Sequence, residues 1–312
     1  MKYLDPKADL TFKRVFGEHP DLVISFLNAM LPFDKDEEIK EIKYLPTELV
    51  PHNPLRKDSI VDVRCIDARG RQFLVEMQMI WSKEFMSRVL FNSSKAYVRQ
   101  LDKNERYDLL QPVYSLNIVN EIFESDLKEY YHYYSIVNLE HTDRVIDGLH
   151  LVFIELPKFT PHTYNDKKMQ VLWLRYLTEI GNDTNDVPQD LISNSEIKKA
   201  VDVIEESAFT PAQLEGYDHF WDVIRTEKTL MHAYETRGMS RGMEKGIKQG
   251  MEKGMEKGRQ EGRQEGIEQG RQEGENHIKV QTVKNMASMN MSVDVISQVT
   301  GLSQEEVKNI LG

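Results

Sequence analysis

The stretch VDVRCIDARGRQFLVEMQM, residues 61–79, decides how this chain is read. Two runs of alternating apolar residues flank Asp67-Ala68-Arg69-Gly70, a connection that marks a β-hairpin. With Gly70 in the left-handed position of a three-residue loop, Asp67 pairs with Arg71 and, counting outward, Asp62 lies opposite Glu76. Side chains alternate along a strand, so one face carries Val61, Val63, Cys65, Phe73, Val75, Met77 and Met79. That face is wholly apolar and belongs in a core. The other face carries Ile60, Asp62, Arg64, Leu74, Glu76, Gln78 and Ile80. A four-residue connection would set Asp62 against Val75 and break this division.

Acidic residues are poor strand formers, and two carboxylates opposed across a strand pair repel. Solvent, Arg64, a shared proton or a cation has to offset that. One reading is a solvated sheet face with Arg64 as the local counter-charge. The other is a divalent metal held by Asp62, Glu76 and a backbone carbonyl or water, the hard oxygen shell that Mg2+ prefers. Such an ion ionises a water and stabilises charge on a phosphate under attack. Spacing alone leaves both readings open.

The surroundings of the hairpin predict a mixed α/β region over residues 1–237. Helical patterns cover residues 10–16 and 21–30, with Pro20 suited to a first turn and Pro32 ending the second. Strand patterns cover 39–44, 59–66, 72–80, 112–119, 132–138 and 149–155, and a helix spans 83–101. Residues 166–237 read as helical, interrupted near 182–188 and at Pro211.

Residues 238–275 are a repeat in which glycine recurs at every fourth position ten times, among residues that mostly favour helix. Each glycine weakens an isolated helix by about 0.8–1 kcal/mol relative to alanine. Glycine spaced by four also lets a second backbone approach, although the charged residues between exclude a membrane span. A helical self-association stalk and a flexible, charge-balanced linker are the two readings. Residues 276–312 predict a small helical module with a capping box at Ser303 and Glu306. It is either an oligomerisation hairpin or a helix-turn-helix, and its three lysines favour the former. The expected organisation is thus a core over 1–160, a helical extension over 161–237, the repeat over 238–275 and the module over 276–312.

The net charge of −11 lies entirely in residues 1–237, which hold 29 basic and 40 acidic residues. That argues against a protein held on nucleic acid by general basic character. A lone cysteine, Cys65, in a strand pattern suits a reducing compartment and a buried, inert thiol. No apolar leader and no membrane-length apolar run is present, so the expectation is a cytoplasmic protein with no membrane partner. Histidine and cysteine spacings typical of metal sites, phosphate-cradling glycine loops and a nucleophile elbow are all missing. Tyr130–Tyr134 (YYHYY) offers rings for base stacking, but an aromatic strand face explains it more simply.

At the hairpin residues the sequence also resembles the Rpn family of recombination-promoting nucleases, transposases of the PD-(D/E)XK nuclease superfamily. The matching residues are Asp9, Phe12, Lys13, Phe16 and Gly17 of D-x-x-F-K-x-x-F-G, and Asp62, Glu76 and Gln78 of the hairpin D…E-x-Q. A helix around SSKAYVRQL (93–101) and the strand PVYSL (112–116) follow in the same order, and the glycine-repeat tail is also similar.

The resemblance implies a restriction-endonuclease-like α/β core, a mixed β-sheet flanked by helices. It implies that Asp62 and Glu76 bind Mg2+ and that DNA is the substrate. Gln78 takes the place where the superfamily usually has a water-positioning lysine, and glutamine can hydrogen-bond a water but adds no charge. Lys95 on the following helix is the candidate for the missing cation. Asp9 supplies either a further carboxylate or a favourable charge at a helix N-terminus. The expected function is therefore a Mg2+-dependent DNA endonuclease acting in recombination, as a homo-oligomer through residues 238–312. The alternative is a catalytically weak or inactive interaction protein working through its repeat.

Overall fold

The computed structural model describes residues 2–49, 59–161 and 168–312. They divide into two units, with the boundary between Leu230 and Met231.

The first unit opens with two amphipathic helices, α1 (Asp9–Glu18) and α2 (Pro20–Met30), whose phenylalanines turn inward together with Val15, Leu22 and Leu27. Six strands follow: β1 (Ile42–Tyr44), β2 (Val63–Asp67), β3 (Gln72–Gln78), β4 (Val113–Val119), β5 (Tyr131–Val137) and β6 (Val145–Glu155). They form one mixed sheet in the order β1-β2-β3-β4-β6-β5. The first three are antiparallel neighbours, β3, β4 and β6 run parallel, and β5 returns antiparallel on the edge. Parallel strands need a crossover, and α3 (Lys83–Val98) supplies it between β3 and β4.

Helices on both faces leave the central strands largely apolar, as buried parallel strands must be. The main core lies on the side of α1, α2, α4 (Lys168–Glu179) and α6 (Ser195–Val203). It contains the ring group Phe12, Phe16, Phe26 and Trp173. The short α5 (Gln189–Ile192) seats Leu191 in the same core. On the other face α3 lies over the sheet, burying Phe85 and Val89 against Val119 and Phe153, and Ala96 against Leu74 and Val113. The restriction-endonuclease-like arrangement expected from the sequence is what the chain adopts. The first residues of the helical stretch expected from 166 lie outside the described residues, and α4 runs from Lys168.

The hairpin has the expected register. Asp67 N–H donates to Arg71 O, Val63 pairs with Val75, and Gly70 sits at φ +86°, where a side chain would be strained. One face assignment changes. Val61 packs with Leu49, Leu74, Ala96 and Val113 on the α3 side, while Val63, Cys65, Phe73 and Val75 join the main core. The β2 ladder begins only at Val63, and Val61 N–H donates instead to Thr47 O at 3.2 Å. Strict alternation holds only within the regular strand. Burial pushes the Cys65 thiol up to about 12, so it is inert.

The division between the units falls within α7 (Pro211–Ser288), which contains the whole glycine repeat as helix. In the second unit α8 (Val293–Thr300) and α9 (Gln304–Leu311) close a small core of Val283, Ile296 and Val307 with the end of α7. Gly301 takes φ +70° at the α8 C-terminus, and Ser303 with Glu306 forms the capping box ahead of α9. Among the described residues no helix is long and apolar enough to cross a membrane.

Candidate active site

Asp62 stands just outside the regular part of β2, and its carboxylate does the work of a missing strand partner. Past the last ladder pair, Val63 with Val75, the N–H of Met77 donates to Asp62 Oδ2 at 2.8 Å. This ties Asp62 beside the strand residue Glu76. Glu76 lies on the face that α3 covers, where Asn92 Nδ2 donates to its Oε1 at 3.1 Å. The polar face of the hairpin is therefore roofed by a helix, which differs from a solvated sheet face.

Both carboxyls are held above the ordinary carboxylate range. For Glu76 burial is the main cause and lifts it to about 7; Arg88 and Asn92 pull the other way, and Asp62 adds to the rise. For Asp62 burial again leads, opposed by the Met77 N–H and by Lys13 and Arg88, with Asp9 adding repulsion.

The expected counter-charge, Arg64, faces elsewhere. Its guanidinium donates to Gln72 Oε1 at 3.0 Å and Pro46 O at 3.4 Å, which carries its charge away from the carboxyl pair. Arg88 of α3 takes that place, 3.6 Å from Glu76 Oε2. Sequence reasoning passes over Arg88, whose signal is the i, i+4 spacing from Asn92, which puts both on one helix face.

The other candidates fall around this pair. Gln78 is engaged at both ends of its amide: Nε2 donates to Ile80 O, and Oε1 accepts from Arg88 at 2.6 Å. Asp9 at the start of α1 pairs with Lys13 at 2.6 Å, and Lys13 in turn lies 4.0 Å from Asp62 Oδ1. Asp9 is thus linked to Asp62 through Lys13. Lys95 is on α3 as expected, but its ammonium donates to Leu49 O and Ser59 Oγ, each at 3.1 Å, and lies over the Phe91 ring. It does not line the cleft that Asp62, Glu76, Gln78, Arg88 and Asn92 share, a cavity of about 790 Å³.

The donor set suits a hard divalent cation. Asp62 Oδ1 and Glu76 Oε2 each have only a distant cation as described partner, and Asn92 Oδ1 is buried with no hydrogen-bond partner. Two carboxyl oxygens short of donors, on groups that resist ionising alone, are the chemistry that Mg2+ or a similar ion would relieve; Asn92 turns its Nδ2 rather than its Oδ1 to Glu76. Among the described residues no group of three His, Cys, Asp or Glu side chains forms, so water and phosphate would complete such a shell.

The family of PD-(D/E)XK nuclease family transposases matches residues 6–233. The chain belongs to that family. The match covers the sheet, both helical layers and every candidate residue above, and it ends before the glycine repeat begins at residue 238. No curated protein and no solved structure gives a match. Membership in the PD-(D/E)XK nuclease family transposases supports a nuclease- or transposase-like function with DNA as partner, in a family that typically uses divalent metal ions.

Proposed function

We propose that the chain is a Mg2+-dependent DNA endonuclease that serves recombination, with Asp62 and Glu76 as its metal-holding carboxylates. The observation that carries this reading is the pair itself, Glu76 buried and Asp62 partly so. Two carboxyls lining one cleft are kept above their ordinary range, with too few protein donors to satisfy them. Asp62 and Glu76 would hold the ion, which when bound would supply positive charge for the phosphate oxygens and lower the pKa of a water. The chain's own part is positional. Met77 N–H fixes Asp62, Asn92 fixes Glu76, and Gln78 lines the cleft beside them. In the hydrolysis the water oxygen joins phosphorus, one P–O ester bond breaks, and the leaving alcohol takes up a proton.

Nicking of supercoiled plasmid with Mg2+ tests this. Asp62→Ala and Glu76→Ala should each cut at least about a thousandfold more slowly than the wild type. Equal cutting by all three proteins would remove the endonuclease reading.

The reading extends to a cytoplasmic homo-oligomer assembled through residues 238–312. In its support, a Cβ added at any of the ten repeat glycines meets nothing within 4 Å, so nothing packed against them in this chain requires glycine there. Met239, Met243, Ile247, Met251 and Met255 are exposed at the same four-residue spacing. Mass in solution should exceed that of one chain and fall to it when residues 238–312 are removed. A full chain that is already monomeric would end the proposal.

A further inference from the structure

The cleft is lined by three carboxylates, Asp62, Glu76 and Glu84, and, among the described residues lining it, by one cation, Arg88. A phosphodiester entering it brings negative charge, and attack by water increases that charge. Beside the charge that a bound metal would supply, a positive side chain aimed at the phosphate stabilises the charge that builds up in attack. Arg88 is placed to do so. Its side chain is 47% exposed, with the guanidinium over the Phe85 ring at 4.9 Å. One nitrogen, Nη2, makes the 2.6 Å bond to Gln78 Oε1 and faces Glu76 Oε2. A guanidinium carries five N–H donors in a planar fork, and that fork matches two phosphate oxygens at once.

Gln78 is what aims it. With Nε2 bound to Ile80 O, the amide oxygen is turned toward α3. A lysine at position 78 would bring its own charge from the strand. A glutamine there brings a dock for a charge that comes from the helix.

We propose that Arg88 is the cation that meets the scissile phosphate and that Gln78 is its positioning residue, an inference that rests on the endonuclease reading above. Lys95, engaged by Leu49 O and Ser59 Oγ, is not needed for this role.

The test compares wild type, Arg88→Ala, Arg88→Lys and the double variant Arg88→Ala/Gln78→Lys. Each is assayed for plasmid nicking with Mg2+ and for metal-free binding of a labelled DNA duplex across a salt series. Arg88→Ala should lose about a hundredfold in cutting rate and reduce the salt slope of binding by about one. Arg88→Lys should retain binding but only part of the rate, because the fork is lost. The double variant should recover at least about tenfold over Arg88→Ala, since its lysine restores a charge from the strand.

If the wild type cuts and Arg88→Ala cuts within about threefold of it, the Arg88 assignment is overturned and the endonuclease reading stands. A loss that Gln78→Lys does not recover, with an unchanged salt slope, would make Arg88 a prop for the cleft and overturn the assignment too. If the wild type does not cut, the endonuclease reading falls. The salt slope then judges Arg88 alone: a reduced slope upholds a phosphate contact and an unchanged one overturns it.

Discussion

Glu76 and Glu155 occupy similar places in the sheet, late in the parallel strands β3 and β6, and both are buried. Their surroundings are opposite. Glu155 accepts from the N–H groups of Phe123 and, at 3.0 Å, Glu124; it faces His132 Nε2 at 2.8 Å and pairs with Lys158. Burial works to raise its pKa, but the Lys158 contact, those N–H groups and His132 outweigh it, and the carboxyl sits below its ordinary value. Glu76 has one amide donor and a guanidinium 3.6 Å away, and it is lifted to about 7. A carboxylate surrounded with donors by the fold is a structural tie. One equally buried but short of donors is, under the proposed function, the carboxylate left for a metal ion.

The contrast breaks most easily at Glu155. Glu155→Ala should destabilise the protein by about 3–5 kcal/mol in urea unfolding, because it strands buried Lys158 and His132 and two N–H groups. A loss as small as that of a surface substitution would show that the two carboxylates do not differ in kind.

Glu76→Gln should move the other way. Without divalent metal at pH 8 it should raise stability by about 1–2 kcal/mol, since it removes a buried charge with too little compensation. The sign of the pH dependence follows. A carboxyl raised in the folded state holds its proton more tightly there than in the unfolded chain, so wild-type stability from Glu76 is greatest below about 4.5 and is lost as pH rises toward about 7. Glu155, with its pKa lowered, contributes stability above its unfolded value that is lost on acidification through its folded one. Urea midpoints of Glu76→Gln across pH should lack the fall between about 4.5 and about 7 that the wild type shows. An identical fall in both proteins would assign the proton elsewhere.

Saturating Mg2+ should add about 1–3 kcal/mol to wild-type stability near neutral pH and leave Glu76→Gln almost unchanged, as read in thermal melts. Equal shifts in the two proteins would place the ion at another site. The smallest effect belongs to Lys13→Ala. Its pair with Asp9 is half exposed, so a change of at most about 0.5 kcal/mol is expected. A larger loss would mean that Lys13 holds Asp62 in place.

Much of the hairpin is legible in its residues alone. Gly70 requires the left-handed position, the three-residue loop follows, and the apolar face of Val63, Cys65, Phe73 and Val75 admits only one register. The same counting goes astray at Val61, where β2 has not yet begun and alternation carries no information. Arg64 looks like the counter-charge because it lies two residues from Asp62, yet it reaches Gln72 and Pro46. Lys95 is a lysine on the right helix, but an ammonium on a long stem goes where oxygen acceptors await it.

By itself the sequence determined the strands of the hairpin and the register of Val63–Ile66 against Gln72–Val75, because these follow from local backbone periodicity and one glycine's freedom; Asp62, outside the ladder, is held beside Glu76 by the Met77 N–H. Only the tertiary structure decided that α3 roofs the polar face and that Arg88 with Gln78, rather than Arg64 or Lys95, stands at the cleft. The reason is that periodicity says which way a side chain leaves its own element. Which group meets it across space depends on how separate elements pack, and only that packing sets the desolvation that lifts Glu76 to about 7.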